Sequence, residues 1–236
     1  DMAYNPGVPV PATEALRLDF PQLKVTSLVS NYGSQITVPD GNAQNGQGDK
    51  KFSESLGVVF VEPQYFDIFG ATWLAGGKSA MKDPNMVIID KTRAEKYFGD
   101  WKNAMGKMLK MDNLLNLKVA GVIEDAPANS DLPFRILVSF LTCKQHPNEY
   151  GYTNDWHSLS SNHQVFVQLP ENESVDRING QLKTFAHRHA GEKGKNGMSN
   201  FLQPLGELHF DKRVGNTLGD HLTSKATLRT LSFIAI

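Results

Sequence analysis

Apolar and polar residues alternate most clearly over Leu117–Phe140, LKVAGVIEDAPANSDLPFRILVSF. A two-residue rhythm is that of a strand with one buried face. It puts Leu117, Val119 and Ile123 on a common core face. The rhythm stops at Asp125-Ala126-Pro127, turns through Asn129-Ser130 and restarts as apolar Ile136–Phe140. Just upstream, Met105–Met111 reads as a strand paired with Leu117–Ile123 around the turn Asp112-Asn113. Val87–Ile89 predicts a short strand. Asp90 can then cap a helix over Lys91–Phe98, which Gly99 terminates.

Other elements follow from the same patterning. Ala12–Phe20 predicts a helix stopped by Pro21, followed by strands over Leu23–Ser30 and Gln35–Val38. Pro39–Lys51 is rich in Gly, Asn and Gln and reads as a solvated loop or hairpin tip. Leu56–Val61 reads as a strand broken by Glu62-Pro63. Pro63–Phe69 then sets Tyr65, Phe66 and Phe69 on one side of a short helix. His146–Ser161 reads as a loop and Gln164–Leu169 as a strand. Ser174 caps the clearest amphipathic helix, whose stripe is Val175, Ile178, Leu182 and Phe185, fading near His189. Gly191–Asn200 is a basic, Gly-rich loop, and Asn200–Leu205 and Leu208–Phe210 are strand-like. Helix runs into strand near both ends, with the longest strands between. That echo predicts a discontinuous lobe made of both ends around an inserted central lobe.

Composition narrows the class. The chain has 236 residues, 40% of them hydrophobic, enough for one large domain or two small lobes. Lys and Arg total 24 against 25 Asp and Glu, so the basic excess of a nucleic-acid binder is missing. The single cysteine, Cys143, excludes an intramolecular disulfide framework and a multi-cysteine zinc site. Following an apolar run, it reads as a small buried side chain rather than a reactive thiol. The first residue is Asp1, which reads as a processed or excised start. Leu228, Leu231 and Ile234 recur at helical spacing in the final Leu228–Ile236, either a last helix of the domain or the first turns of a membrane helix; the second is favoured.

Catalytic patterns are weak. Gly76-Gly77-Lys78-Ser79 resembles the tail of a phosphate loop, but its leading glycine is replaced by Thr72, so a tight turn is the better reading. Of seven histidines, His146, His157 and His163 share one polar region, while His187 and His189 diverge on a helix. Glu124 and Asp125 point to opposite faces of a strand end and cannot share a proton; Asp125 suits turn hydrogen bonds. No Gly-x-Ser-x-Gly elbow occurs. Asn172-Glu173-Ser174 is a formal sequon, but Ser174 is better used as a cap. Tyr65, Phe66, Phe69 and Trp73 form either a stacking surface or core, with core favoured by their spacing beside a strand.

An ordered series of motifs then stands out: Phe60–Gly70 (FVEPQYFDIFG), Leu74-Ala75-Gly76-Gly77, Asp83-Pro84-Asn85, Val87–Asp90, Ala94–Gly99 (AEKYFG), Gly106-Lys107 and Val119–Phe140. Leu16–Pro21, Val165–Pro170 and Gln203-Pro204-Leu205 fit beside it. The series resembles the MacB-like periplasmic core domain of bacterial ABC transporter permeases in the MacB/FtsX superfamily, in the subgroup common in Bacteroidetes. The resemblance implies an α+β, two-lobed domain. Residues 1–48 and 162–227 would form a discontinuous, βαβ-containing, membrane-proximal lobe. Residues 49–161 would form an inserted β-rich lobe, and 228–236 would begin a transmembrane helix. It also implies an inner-membrane permease with this domain in the periplasm, a cytoplasmic ABC ATPase partner, a homodimer or paired permease, and a periplasmic adaptor or envelope partner. The expected role is transmission of ATP-driven motion for export or envelope signalling, without enzymatic activity, cofactor, metal or nucleic acid. The alternatives are a periplasmic sensor for peptide or antibiotic, with Tyr65, Phe66, Trp73 and Trp156 as contact residues, and a hydrolase with a dispersed His/Asp site.

Overall fold

The computed structural model describes residues 4–40, 48–127, 130, 132, 134–190, 199–208, 210 and 211. Its strands are β1 (Lys24–Asn31), β2 (Ser34–Val38), β3 (Lys50–Glu54), β4 (Val58–Val61), β5 (Trp73–Gly76), β6 (Met86–Asp90), β7 (Met108–Met111), β8 (Leu115–Ile123), β9 (Ile136–Ser139) and β10 (His163–Gln168). They join one mixed sheet in the order β10-β1-β4-β9-β6-β8-β7-β2-β3, with β5 beside the far end of β8. The β4–β9 and β6–β8 pairs are parallel; the β9–β6 pair between them is antiparallel. The expected α+β class is the observed one.

Strand β9 explains the centre. All four of its side chains are buried, as a strand covered on both faces requires. Ile136 and Val138 join one apolar cluster with Phe60, Val87, Leu117 and Tyr97. Leu137 joins a second on the opposite face, with Leu28, Val59, Tyr65 and Phe66. Helix α3 (Lys91–Phe98) and α4 (Phe140–Gln145) cover the first face, and α2 (Tyr65–Phe69) covers the second. A third cluster packs α1 (Ala12–Asp19), α6 (Val175–Leu182) and α7 (Phe185–Ala190) on Val25, Val165 and Val167 of β1 and β10.

Several sequence expectations change. Leu117 and Val119 share the first core, but Ile123 does not. The register against β6 slips between Val119 and Gly121, a β-bulge that flips the later alternation. Val122 therefore enters the first core and Ile123 packs on the second. Gly121 sits at the slip, where a Cβ would lie 2.9 Å from the Trp73 ring and 3.1 Å from Ile88. The predicted loop His146–Ser161 contains a one-turn helix, α5 (Pro147–Tyr150). The single helix beginning at Ser174 is two, α6 and α7, separated at Lys183-Thr184; Ile178, Leu182 and Phe185 stay buried while Val175 is exposed. Asn200–Leu205 is not a strand: Pro204 cannot donate to a ladder, and Leu205–Glu207 forms a 3₁₀ turn. The Pro39–Lys51 loop is described only at its margins, where Lys50 and Lys51 already belong to β3. Residues 191–198, and the proposed membrane-helix start 228–236, lie outside the described residues.

Candidate functional site

The aromatic residues singled out from sequence fall in two places. Tyr65 and Phe66 are buried on the second core face. Their rings meet edge-on at 5.2 Å, Tyr65 also meets Phe69 at 4.8 Å, and Phe66 meets half-buried Trp73 at 5.0 Å. Burial raises the Tyr65 phenol above its ordinary range. Trp156 is elsewhere: it stacks on His189 at 5.2 Å and 11° and meets Phe185 edge-on. Its aromatic partners come from α7 and it belongs to the third cluster, so it shares no surface with the other three.

Two charged junctions tie helices to the sheet, and of their contacts only the Asp90 cap was expected from the sequence. In the first, Glu62 follows β4 and is nearly buried. Its Oε2 accepts from Arg17 Nη2 of α1 at 2.6 Å and from the Ser27 N–H of β1 at 3.0 Å. The same guanidinium donates to the Val25 carbonyl at 3.0 Å and to Glu14 at 2.8 Å. Burial works against the Arg17 charge, but the Glu62 hydrogen bonds and charge, helped by Glu14, outweigh it and hold the guanidinium pKa above its usual value. A buried acid without its partner base would be strongly unfavourable, so α1 is fixed to β1 and β4 together.

The second junction surrounds α3. Asp90 Oδ1 caps the helix by accepting from the Arg93 N–H at 2.7 Å, as the sequence predicts. Asp125, expected to serve its own turn, instead reaches back to the same helix start and accepts from the Thr92 N–H at 3.0 Å and Oγ1 at 2.6 Å. Glu54 of β3 accepts from Lys96 Nζ at 2.6 Å and Tyr97 Oη at 2.7 Å, with Arg93 at 3.4 Å. Burial pushes the Glu54 carboxyl up, yet those partners bring it below the usual carboxylate range. Asp90 shows the opposite balance. Its burial, with Asp125 nearby, outweighs Arg93 and Arg135 and raises its pKa to about 6. Its second oxygen has no hydrogen bond, only Arg93 at 3.5 Å and Arg135 at 3.7 Å.

The remaining candidates are structural. Lys78 pairs with Asp67 beside the turn after β5, so the Gly76-Gly77-Lys78-Ser79 segment is spent on local contacts. Gly76 has φ 75° and a Cβ there would strike the Ala120 carbonyl at 2.1 Å. Cys143 is buried, which pushes its thiol up to about 12, leaving it an unreactive protonated group at neutral pH. His163 is buried with Nδ1 2.7 Å from the Val8 carbonyl, whereas His157 is exposed beside Asp155. Among the described residues no group of three His, Cys, Asp or Glu is placed to hold a metal ion, and no helix is long and apolar enough to cross a membrane. Ser174 does cap α6 through the Arg177 N–H at 3.3 Å.

Known proteins converge on one family. A domain of a protein described as a permease from Porphyromonas gingivalis superposes with a TM-score of 0.64 at 19% identity, over 85% of this chain and 88% of that one. The periplasmic region of MacB from Actinobacillus actinomycetemcomitans gives 0.57 at 18%, over 79% and 76%. The extracellular domain of the non-canonical ABC-type transporter YknZ from Gram-positive bacteria gives 0.55 at 18%, over 85% and 97%. At such identities these likenesses establish the shared fold. No curated protein matches the chain. The model of the MacB-like periplasmic core domain matches residues 2–185, and the chain belongs to that family of ABC transporter permease domains.

Proposed function

We propose that this periplasmic domain passes ATP-driven motion of a cytoplasmic ABC ATPase to the periplasm, for export or envelope signalling. The parent permease would sit in the inner membrane as a homodimer or paired permease, with a periplasmic adaptor or envelope protein as its outer partner. The reading is supported by one observation above all: a single hydrogen-bonded sheet runs from β10 and β1 through the centre to β3. A displacement applied at the β1/β10 end is carried by strands rather than by loops. The Arg17–Glu62 junction adds α1 to the moving body.

The division into an end lobe (1–48 and 162–227) and an inserted lobe (49–161), and the start of a membrane helix at 228–236, belong to the same proposal. The test is the full permease reconstituted with its ATPase in vesicles, with and without this domain. Loss of transport or signalling output with ATP hydrolysis retained supports coupling. Unchanged output without the domain rejects it.

A further inference from the structure

The sheet has two end strands, β3 and β10, and they are finished differently. A terminal strand presents a row of unpaired N–H and C=O groups, which proteins blunt with charge, proline or a bulge. Strand β3 carries Lys50, Lys51 and Glu54 among its five residues. Strand β10, HQVFVQ, has no Lys, Arg, Asp, Glu or Pro, and its register with β1 is unbroken over six pairs.

Parity shows what the β10 edge offers. The Ser30 N–H donates to the Asn162 carbonyl at 2.9 Å across the β1–β10 pair. Alternate residues of an antiparallel strand point their backbone groups to opposite sides. Gln164 and Phe166 therefore face β1, while His163, Val165 and Val167 face outward. The chain itself uses the first of these positions. The Val8 N–H donates to the His163 carbonyl at 3.1 Å, and the His163 N–H donates to the Ser160 carbonyl at 3.1 Å. Among the described residues no backbone hydrogen bond reaches Val165 or Val167 on that side. Two donors and two acceptors continue the row that Val8 begins.

Both valines line a cavity of about 320 Å³, within the range of ligand sites. On one face of the edge Phe69 meets Phe166 edge-on at 5.1 Å. On the other Leu202 packs with Val165 and Val167 in the third cluster. Exposed Phe201 and Leu205 extend the apolar lining. Among the described residues the lining has no Lys, Arg, Asp or Glu, so a charge set there would lose water without gaining an ionic partner.

We propose that β10 takes up a further strand, an extended and uncharged segment of a partner polypeptide. Main-chain hydrogen bonds at Val165 and Val167 would hold it, with its apolar side chains directed alternately to the Phe69 and the Leu202 side. Apolar walls on both faces of the edge suit one strand rather than the edge of a second copy. The proposal rests on the sheet edge and not on the coupling role.

The experiment titrates the chain with acetyl-Thr-Val-Ile-Val-Thr-amide and follows amide hydrogen exchange by NMR. At saturating peptide the Val165 and Val167 amides should exchange about tenfold more slowly, with Phe166, already directed at β1, unchanged. N-methylation of the second and fourth peptide residues removes donors from one side of the strand; N-methylation of the third removes one from the other. One of these peptides should bind about tenfold more weakly and the other nearly as well as the parent. Lysine in place of both peptide valines should also weaken binding about tenfold. Val167→Pro deletes an outward donor and leaves the β1 ladder intact, so affinity should fall about tenfold. Protection of the β1 amides checks its fold, and the methylated peptides carry the test if it unfolds. No slowing at millimolar peptide overturns the proposal. So do equal effects of the two methylations, equal binding of the lysine peptide, or an unchanged affinity in folded Val167→Pro. Slowing at Val165 and Val167 with chain concentration alone, without peptide, gives the edge to a second copy and overturns it too. Each outcome leaves the coupling proposal where it stands.

Discussion

Helices α3 and α6 are of equal length and both lie against the sheet, yet they are held by different physics. The start of α3 is fixed by two carboxylates, Asp90 and Asp125, and its far end by Glu54 through Lys96 and Tyr97. Helix α6 has one serine cap, a pair between exposed Arg177 and Glu173, and the apolar contacts of Ile178 and Leu182. Polar contacts of fixed direction make α3 part of the scaffold. Apolar contacts tolerate sliding, so α6 can adjust its seat without breaking a buried polar contact.

That contrast can be broken most severely at Glu54. Glu54→Ala strands Lys96, Arg93 and the Tyr97 hydroxyl beside a buried gap and should cost about 3 kcal/mol, read as a lowered urea midpoint. Phe185→Ala should cost about 3 kcal/mol by removing the ring shared by α1, α6 and Trp156. In hydrogen exchange its loss should fall on α6 and α7, with α3 amides still protected; equal loss in both would erase the distinction.

Asp90 gives a pH signature confined to α3. Its folded pKa of about 6 exceeds the ordinary 3.8, so the folded chain holds this proton more tightly than the unfolded one. Stability from this group is present at low pH and lost as pH rises through about 4 to 6. Asp90→Asn keeps an acceptor for the cap and should flatten this change, of about 2–3 kcal/mol, in thermal melts across that window. A wild-type slope retained in the variant would remove Asp90 as its source. The smallest effect belongs to α6: Ser174→Ala should lower stability by about 1 kcal/mol through its lost cap. Arg177→Gln, on the exposed partner of Glu173, should leave the melting temperature within error.

Local grammar was readable in the sequence because local physics fixed it. Asp90 and Gly99 bracket α3 as expected, with Gly99 at φ 82°. Asp112 and Asn113 make their turn at positive φ between β7 and β8. What stayed hidden depended on distance along the chain. Nothing near Asp125 announces that it caps a helix thirty-odd residues earlier. Nothing in Lys50–Glu54, with Phe52 its lone apolar residue, marks a strand that draws its stability from Tyr97. The candidate aromatics were found as residues, but their grouping was not: periodicity could not reveal that Trp156 answers to α7. The open edge of β10 was invisible because only the strand order of the whole sheet makes β10 a terminal strand. The family resemblance, by contrast, rested on the order of many short motifs and was recovered almost whole.

Strand β9 also governs how the chain can be assembled. It lies between β4 and β6, both of which precede it in sequence by dozens of residues. Until Ile136–Ser139 is available, β4 and β6 have a gap between them and two open edges. Synthesis or translocation therefore delivers the middle of the sheet before the piece that joins it. Long-range closure of this kind slows folding and leaves apolar edges exposed to wrong partners. The last gap to close is filled by a strand buried on both faces, so the same insertion that ends the vulnerable interval completes both cores at once.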